Sequence, residues 1–154
     1  MTKEQAIQKI KYYCSYQERC HKEVKEKLYG FKLQKNDVET IIAQLIEENY
    51  LNEVRFAQLF AGGKFRIKQW GRGRIRHELK QKQISEYCIN KGLKEINEEV
   101  YNKTLQKLAA AKWKTMKKEN NLFVRRSKTI NLLLQRGFEH ALAHEAVASL
   151  QEKK

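Results

Sequence analysis

The chain has 154 residues, with 32 basic and 18 acidic side chains and a formal net charge of +14. Apolar residues make up 41% of it, which is enough for a hydrophobic core and excludes disorder throughout. No stretch approaches the run of about 20 apolar residues that a membrane span needs, and the N-terminus lacks an apolar signal segment. Three cysteines without a CxxC pair predict reduced thiols and a cytoplasmic protein without membrane contact.

The absence of proline and the abundance of Lys, Glu, Gln, Leu and Ala predict an all-α protein. In the first segment, Ile7, Ile10 and Cys14 have the spacing of one helix face. The second segment, HKEVKEKLYG, has apolar residues four apart and ends at Gly30, which predicts a short helix stopped by glycine.

The third segment, NDVETIIAQLIEE, begins with Asn36 and has Glu39 three residues on, which predicts a capping box. Its apolar positions predict a broad buried stripe made of Val38, Ile41, Ile42, Leu45 and Ile46. The fourth segment contains Gly62-Gly63, which predicts either a break in the helix or a close approach of another helix.

The fifth segment carries Ile75 and Leu79 on one face. Ser85 begins a short sixth helix that Gly92 is predicted to end, and Asn97 is predicted to cap a long seventh helix. The segments LFVRRSKTINLLLQRG and FEHALAHEAVASLQ complete nine helices.

These nine segments group in threes, because an apolar pair five residues apart recurs in the second helix of each group. The pairs are Leu28/Leu33, Leu79/Ile84 and Leu133/Phe138. We therefore predict three tandem, helix-turn-helix-like repeats, 1–52, 53–96 and 97–154, stacked into an elongated, curved molecule.

Positive charge is concentrated in two blocks, residues 61–82 and 112–128, which together carry +13 of the net +14. Such concentration favours two surfaces for a polyanion or an acidic protein over ordinary solvated helix faces. The candidate contact residues are twelve basic side chains from these blocks and one arginine further on: Lys64, Arg66, Lys68, Arg72, Arg74, Arg76, Lys80, Lys112, Lys114, Arg125, Arg126, Lys128 and Arg136.

The stretch QWGRGRIRHELKQK lies at the centre of the first block. Gly71 and Gly73 lack the spacing of a phosphate-binding loop, so we predict a tight turn whose free N–H groups offer an anion site at the helix start. Arg72, Arg76 and Lys80, spaced by four, predict a cationic stripe that suits phosphate and carboxylate equally.

Two tryptophans and two histidines have more than one interpretation. Trp70 and Trp113, each beside basic residues, suit either core packing or base stacking, and packing is the more frequent role. His140 and His144 have the spacing of two metal ligands, but no third ligand has matching spacing, so we expect surface histidines. No catalytic arrangement and no cofactor motif stands out, which favours a protein that is not an enzyme.

Four motifs, ERCHKEVKEKL, YLNEVRFA, GRGRIRHELKQKQI and LLLQRGF, resemble in order and spacing those of the RecX family of recombination regulators. The resemblance runs from about Ala6 to Leu150. It implies a non-enzymatic, monomeric regulator that binds RecA-type recombinase filaments, lies in their helical groove and restrains extension, ATP hydrolysis and strand exchange. It also implies direct binding to single- or double-stranded DNA.

Several positions depart from the family pattern, which often has other residues at Cys20 (serine), Asn52 and Glu53 (aspartates), Arg72 (proline) and Gln83 (glycine). An alternative interpretation is a general DNA-binding helix-turn-helix protein without a recombinase partner. Strong, salt-dependent binding to bare DNA would favour that alternative.

Overall fold

Nine α-helices and one π-helical turn form the secondary structure of residues 1–152, the part of the chain that this computed structural model describes. No strand is present among these residues, so the all-α prediction is confirmed. The helices are α1 (Lys3–Tyr16), α2 (His21–Gly30), α3 (Lys35–Glu47), α4 (Glu53–Gly63), α5 (Arg72–Gln81), α6 (Glu86–Leu93), α7 (Glu98–Thr115), α8 (Leu122–Gln135) and α9 (His140–Glu152). The π-helical turn, Lys64–Lys68, directly follows α4.

Side-chain caps fix the starts of several helices. Asn97 accepts a hydrogen bond from the Val100 amide at 3.0 Å, so the predicted cap of α7 is confirmed. The predicted cap of α3 at Asn36 is wrong, because α3 begins at Lys35 after Gln34. Asn36 already lies in the first turn, where its carbonyl accepts a bond from the Thr40 hydroxyl.

The end of α5 explains the apolar pair Leu79/Ile84. The Ile84 amide donates to the Leu79 carbonyl at 3.1 Å, the Gln83 amide donates to the Lys80 carbonyl at 2.9 Å, and Gln83 is left-handed with φ 61°. These are the bonds of a Schellman motif, in which the two residues five apart make an apolar contact.

The same six-residue ending closes two other helices. Phe138 donates to the Leu133 carbonyl at 3.0 Å past Gly137, and Tyr50 donates to the Leu45 carbonyl at 2.8 Å past Asn49. Helix α3 ends in this way too, although it is not one of the three helices whose apolar pairs predicted the repeats. The spacing of five residues therefore indicates how a helix ends.

Gln83 has a left-handed backbone conformation, which costs a residue with a side chain about 1–2 kcal/mol. Glycine avoids this cost but loses about 0.5–1 kcal/mol of conformational entropy on folding. The conformational term is the larger, so Gln83→Gly is expected to raise the free energy of unfolding by about 0.5–1 kcal/mol. Urea unfolding followed by circular dichroism measures the change. The matched control is Gln81→Gly, at the last residue of α5, which is expected to lower stability by up to about 1 kcal/mol. A gain in both variants, or in neither, would contradict the explanation.

The helices form two compact units, and the chain passes from one to the other three times: within α4, within α5 and at the last residue of α6. Unit 1 comprises Met1–Phe60 and Leu79–Gly92. Unit 2 comprises Ala61–Glu78 and the described residues from Leu93 onwards. The predicted repeat boundaries, which are sequence divisions, remain a prediction.

The core of unit 1 is built from the apolar faces of α1, α2 and α3. Its buried members are Ile10, Cys14, Val24, Leu28, Val38, Ile41, Ile42, Leu45 and Leu51. The predicted stripe of α3 is therefore correct except at Ile46, which is 47% exposed. Burial raises the pKa of the Cys14 and Cys20 thiols to about 11, and Cys88 is likewise a buried free cysteine.

Glycines inside helices have roles that the sequence left open. The prediction that Gly92 ends α6 is wrong, because α6 continues to Leu93. A Cβ at Gly92 would lie 2.6 Å from the Ala57 carbonyl oxygen, so glycine at this position permits α6 to pack closely on α4. The predicted break at Gly62-Gly63 is wrong, because α4 runs through both. A Cβ at Gly63 would have nothing within 4 Å, and the atom nearest to one at Gly62 would be Nη1 of the Arg66 guanidinium, at 2.8 Å.

Candidate nucleic-acid and filament interface

Backbone atoms of the α8–α9 turn cover the start of α5. The Gly71 amide donates to the Arg136 carbonyl at 2.7 Å, and the Gly73 amide donates to the Gly137 carbonyl at 2.8 Å. The Arg72 amide donates to the Tyr101 hydroxyl at 3.0 Å. All three N–H groups therefore have partners within unit 2, and the predicted anion site at this helix start is wrong.

Close backbone approach explains the glycines of this stretch. A Cβ at Gly71 would lie 2.4 Å from the Gly137 carbonyl carbon, and one at Gly73 would lie 2.9 Å from its oxygen. Gly137 itself has φ +97° and would place a Cβ 2.4 Å from the Arg74 amide nitrogen. The three glycines therefore form one packing contact within unit 2.

Arg72 lies at the centre of an ion-pair cluster formed with Glu98, Tyr101 and Glu139. Its guanidinium is 2.6 Å from carboxylate oxygens of both Glu98 and Glu139, and it lies over the Tyr101 ring at 3.9 Å. The Tyr101 hydroxyl donates to Glu139 in turn. Burial acts to lower the pKa of Arg72, but the hydrogen bonds to the two glutamates outweigh it and raise that pKa. This arginine therefore joins the starts of α5, α7 and α9.

The remaining residues of the predicted stripe differ in their surroundings. Lys80 is exposed and lies 3.8 Å from Glu86, with both side chains 57% exposed. Arg76 is half-buried and interacts within the chain. Exposed ion pairs of this kind contribute little to stability, so Lys80 is available to a partner at low cost.

The first basic block surrounds Trp70 with cations. The Arg74 guanidinium lies 4.3 Å and the Lys64 ammonium 5.2 Å from the centroid of the half-buried Trp70 ring. Arg66, Lys68 and Arg74 are exposed. The ring of Trp70 therefore holds cations at the surface by cation–π attraction and does not lie in the core.

The second basic block has a similar tryptophan–arginine arrangement. The Arg125 guanidinium lies 3.9 Å from the Trp113 ring centroid and donates to the Trp113 carbonyl at 3.0 Å. Beside it lies a groove of about 900 Å³ lined by Ala110, Ala111, Trp113, Lys114, Lys117, Leu122, Arg125, Leu150 and Gln151. Lys114, Arg126 and Lys128 are exposed, and Lys112 is half-buried. The arrangement presents cationic side chains around a largely apolar groove.

Both basic blocks lie largely in the same unit. Arg136, at the end of α8, donates from its guanidinium to the Lys68 carbonyl of the first block at 3.1 Å. The sequence of unit 2 holds 19 basic and 8 acidic side chains, a net charge of +11, whereas unit 1 has +3. Unit 2 is therefore the strongly cationic part of the chain.

Sequence reasoning missed three residues of this region: Glu98, Tyr101 and Glu139. Each lies at the start of a helix and far along the chain from Arg72, where local periodicity carries no information. The only available signal was the recurrence of glycines in GRG and RGF, which indicates close packing.

Two further observations concern metal binding and membrane-spanning helices. His140 and His144 are exposed with stacked rings 5.1 Å apart, and residues 1–152 contain no group of three potential metal ligands. Over the same residues, no helix is long and apolar enough to cross a membrane.

The fold and these surfaces define a class: an all-helical protein of three-helix units with a cationic second half. Residues 52–93 match the family model described as "RecX, second three-helix domain", and residues 99–147 match "RecX, third three-helix domain". The chain belongs to the RecX family.

Curated relatives agree with this assignment. The chain is 29% identical over 130 residues to "Regulatory protein RecX" of Clostridium perfringens (strain 13 / Type A), covering 84% of this chain and 60% of that protein. It is 30% identical over 142 residues to the protein of the same name from Lactococcus lactis subsp. cremoris (strain SK11), covering 91% and 53%. The chain thus spans between about half and three fifths of the length of these relatives.

The fold matches that of "Crystal structure of RecX from Lactobacillus salivarius" with a TM-score of 0.88 at 20% identity, covering 97% of this chain and 96% of that one. It matches "Crystal structure of regulatory protein RecX" with a TM-score of 0.84 at 24% identity, covering 96% and 71%. At this level of identity the likeness concerns the fold alone.

Proposed function

We propose that this protein regulates recombination by binding RecA-type recombinase filaments on DNA and restraining their extension, ATP hydrolysis and strand exchange. The observation that carries the proposal is the net charge of +11 in unit 2 of a RecX-family chain. A filament on DNA is a long polyanion, and a cationic surface is attracted to it before any specific contact forms.

The proposed contacts are the cations that remain accessible in the two blocks. The most exposed are Arg66, Lys68, Arg74, Lys80, Lys114, Arg126 and Lys128, with Lys64, Arg76, Lys112, Arg125 and Arg136 as half-buried neighbours. Arg72 is left out, because its guanidinium is already bound by two carboxylates.

The rest of the proposal concerns the protein as a whole. It acts in the cytoplasm as a monomer, has no catalytic activity or cofactor of its own, and contacts no membrane. Its repeats, 1–52, 53–96 and 97–154, contact the filament along its groove. Its relatives carry the name of regulatory proteins, which supports a role other than catalysis.

The test is the DNA-dependent ATPase activity of a RecA-type recombinase with this protein added. We expect inhibition by the wild type and a loss of at least about half of it with Arg126→Ala/Lys128→Ala. Both residues are exposed, so the fold should be retained. The matched control is Lys94→Ala/Lys107→Ala, which removes the same charge from exposed positions of unit 2 outside the blocks. Equal effects of the two double variants would argue against a specific surface.

A second candidate function, general DNA binding without a recombinase, is favoured by the same charge and by the three-helix units. It predicts tight binding to bare duplex DNA with a salt slope that falls by about 0.9 for each phosphate contact removed. Strong inhibition of the recombinase at salt concentrations that abolish bare-DNA binding would exclude it.

A further inference from the structure

Unit 1 has a cavity that lies outside both basic blocks, which we name the tyrosine cleft. It has a volume of about 640 Å³ and lies between α1, the α1–α2 connection and the C-terminal half of α2. Its lining is aromatic and cationic, with one amide: Gln8, Lys9, Tyr12, Tyr13, Tyr16, Arg19, Lys27 and Phe31. Neither an aliphatic nor an acidic side chain lines it.

Two of the tyrosines present their rings to solvent. Tyr12 and Tyr16 are each 72% exposed, and their ring centroids lie 6.5 Å apart on successive turns of α1. The core of unit 1 does not use these rings, since the buried face of α1 is formed by Ala6, Ile10 and Cys14. Their aromatic faces are therefore open to a ligand.

An arginine is held in place at the cleft. The Arg19 guanidinium lies 3.7 Å from the Tyr13 ring centroid, and its Nε donates to the Tyr13 carbonyl at 3.1 Å. Among residues 1–152 its terminal nitrogens form no ion pair. Such a guanidinium loses little further freedom when it binds an anion.

Lys27 and Lys9 complete the cationic side of the cleft. The Lys27 ammonium lies 5.2 Å from the Tyr13 ring and 5.9 Å from the Phe31 ring. Four acids of unit 1 pair with cations outside the cleft, in the ion pairs Lys3–Asp37, Lys11–Glu48, Lys35–Glu39 and Arg55–Glu18. Glu23 is close enough to act electrostatically on Tyr13, but it does not line the cleft. The lining of the cleft is therefore cationic, although the net charge of unit 1 is small.

We propose that the tyrosine cleft binds single-stranded nucleic acid. Bases stack on Tyr12 and Tyr16, while Lys9, Arg19 and Lys27 contact the phosphates. A single strand is favoured because the stacking faces of its bases are accessible, whereas those of a duplex are covered by neighbouring base pairs. The lack of aliphatic walls disfavours an amphipathic helix, which needs an aliphatic groove for its apolar residues.

The binding experiment uses the full chain without recombinase, so its failure would leave the filament proposal standing. A fluorescein-labelled oligothymidylate of about 20 nucleotides is titrated with protein and followed by anisotropy. Because each base–aromatic stack contributes about 1–3 kcal/mol, Tyr12→Ala/Tyr16→Ala is expected to weaken binding by about tenfold or more. The control Tyr87→Ala removes another exposed tyrosine of unit 1 that also lies near a lysine, and it should change binding by less than about twofold.

A blunt duplex of the same length separates stacking from general charge attraction. Its affinity is expected to be equal for the wild type and the double variant. An unchanged affinity of the double variant for oligothymidylate, or an equal loss for the duplex, would overturn the proposal. A third outcome would also overturn it: the wild type binds a polyglutamate peptide, and the double variant loses that binding but still binds oligothymidylate. The cleft would then bind an acidic protein segment.

Photocrosslinking supplies a second measurement that does not depend on a substitution. Oligothymidylate carrying 5-iodouracil is irradiated with the wild-type protein, and the crosslinked peptides are identified by mass spectrometry. Crosslinks at Tyr12 or Tyr16 are expected. Crosslinks confined to residues 61–82 and 112–128 would overturn the assignment of the cleft.

Discussion

Gly137→Ala is expected to lower the free energy of unfolding by about 3–5 kcal/mol. At φ +97° a side chain costs about 1–2 kcal/mol, and the added Cβ would lie 2.4 Å from the Arg74 amide nitrogen, so the packed start of α5 must move. A loss of this size is a large fraction of the 5–15 kcal/mol typical of a small protein. Urea unfolding followed by circular dichroism measures it.

Two further alanine variants test the cause. Gly71→Ala would place a Cβ 2.4 Å from the Gly137 carbonyl carbon, at a residue that has no positive φ. The decrease in the free energy of unfolding of this variant therefore measures the steric contribution alone. Gly63→Ala lies in a helix with open space around it and is expected to stabilise by about 0.5–1 kcal/mol. Losses of similar size at Gly137 and Gly63 would refute the close-approach explanation.

Tyr101→Phe is expected to destabilise the protein by about 1–3 kcal/mol at neutral pH. The Tyr101 side chain is fully buried, and its hydroxyl accepts from the Arg72 amide and donates to Glu139. Phenylalanine keeps the ring contacts with Phe65 and Phe138 but leaves the Arg72 amide without its acceptor and removes the hydrogen bond to Glu139, which keeps only its ion pair with Arg72. Thermal or urea unfolding at pH 7 measures this loss.

Alkaline pH provides a second, independent signature of this hydroxyl. Burial, together with the hydrogen bond to Glu139, raises the pKa of Tyr101. The neutral phenol therefore contributes its full stability below about pH 10, and the contribution falls as the pH rises towards the folded-state pKa. The stability difference between the wild type and Tyr101→Phe should narrow by about 1 kcal/mol between pH 8 and pH 11.

The control for the phenol is Tyr87→Phe, because Tyr87 is 66% exposed. It should change stability by less than about 0.5 kcal/mol at both pH values. A Tyr101 variant that behaves like the Tyr87 variant would mean that the cluster around Arg72 contributes little to the fold.

Local pattern was sufficient to predict the helices. The buried faces of α1 and α3, the cap at Asn97 and the apolar pairs five apart all follow from spacing within one or two turns. The interpretation of those pairs as a repeat signal was less secure, because α3 ends with the same Schellman bonds between Tyr50 and Leu45. The pattern reports the geometry of a helix end, which unrelated helices share.

Contacts between segments that are distant in sequence could not be predicted from local patterns. The glycines before Ile75 predicted free N–H groups, but the α8–α9 turn, more than 60 residues on, supplies their acceptors. For the same reason Arg72 was grouped with Arg76 and Lys80 by spacing alone, although Glu98 and Glu139 bind it. The tyrosine cleft was missed because charge was counted by block, and the acids in the same stretch of sequence cancelled the cations that line the cleft.

The bonds from Gly71 and Gly73 to the α8–α9 turn have a consequence for synthesis on the ribosome. The α1–α3 core requires only residues up to Leu51, so it can form while the rest is still being translated. The start of α5 must wait until Arg136 and Gly137 emerge, about 3–13 s later at ordinary elongation rates. During that interval the nascent chain exposes its arginine-rich stretch with its amides unpaired, and that is when chaperones have most access to it.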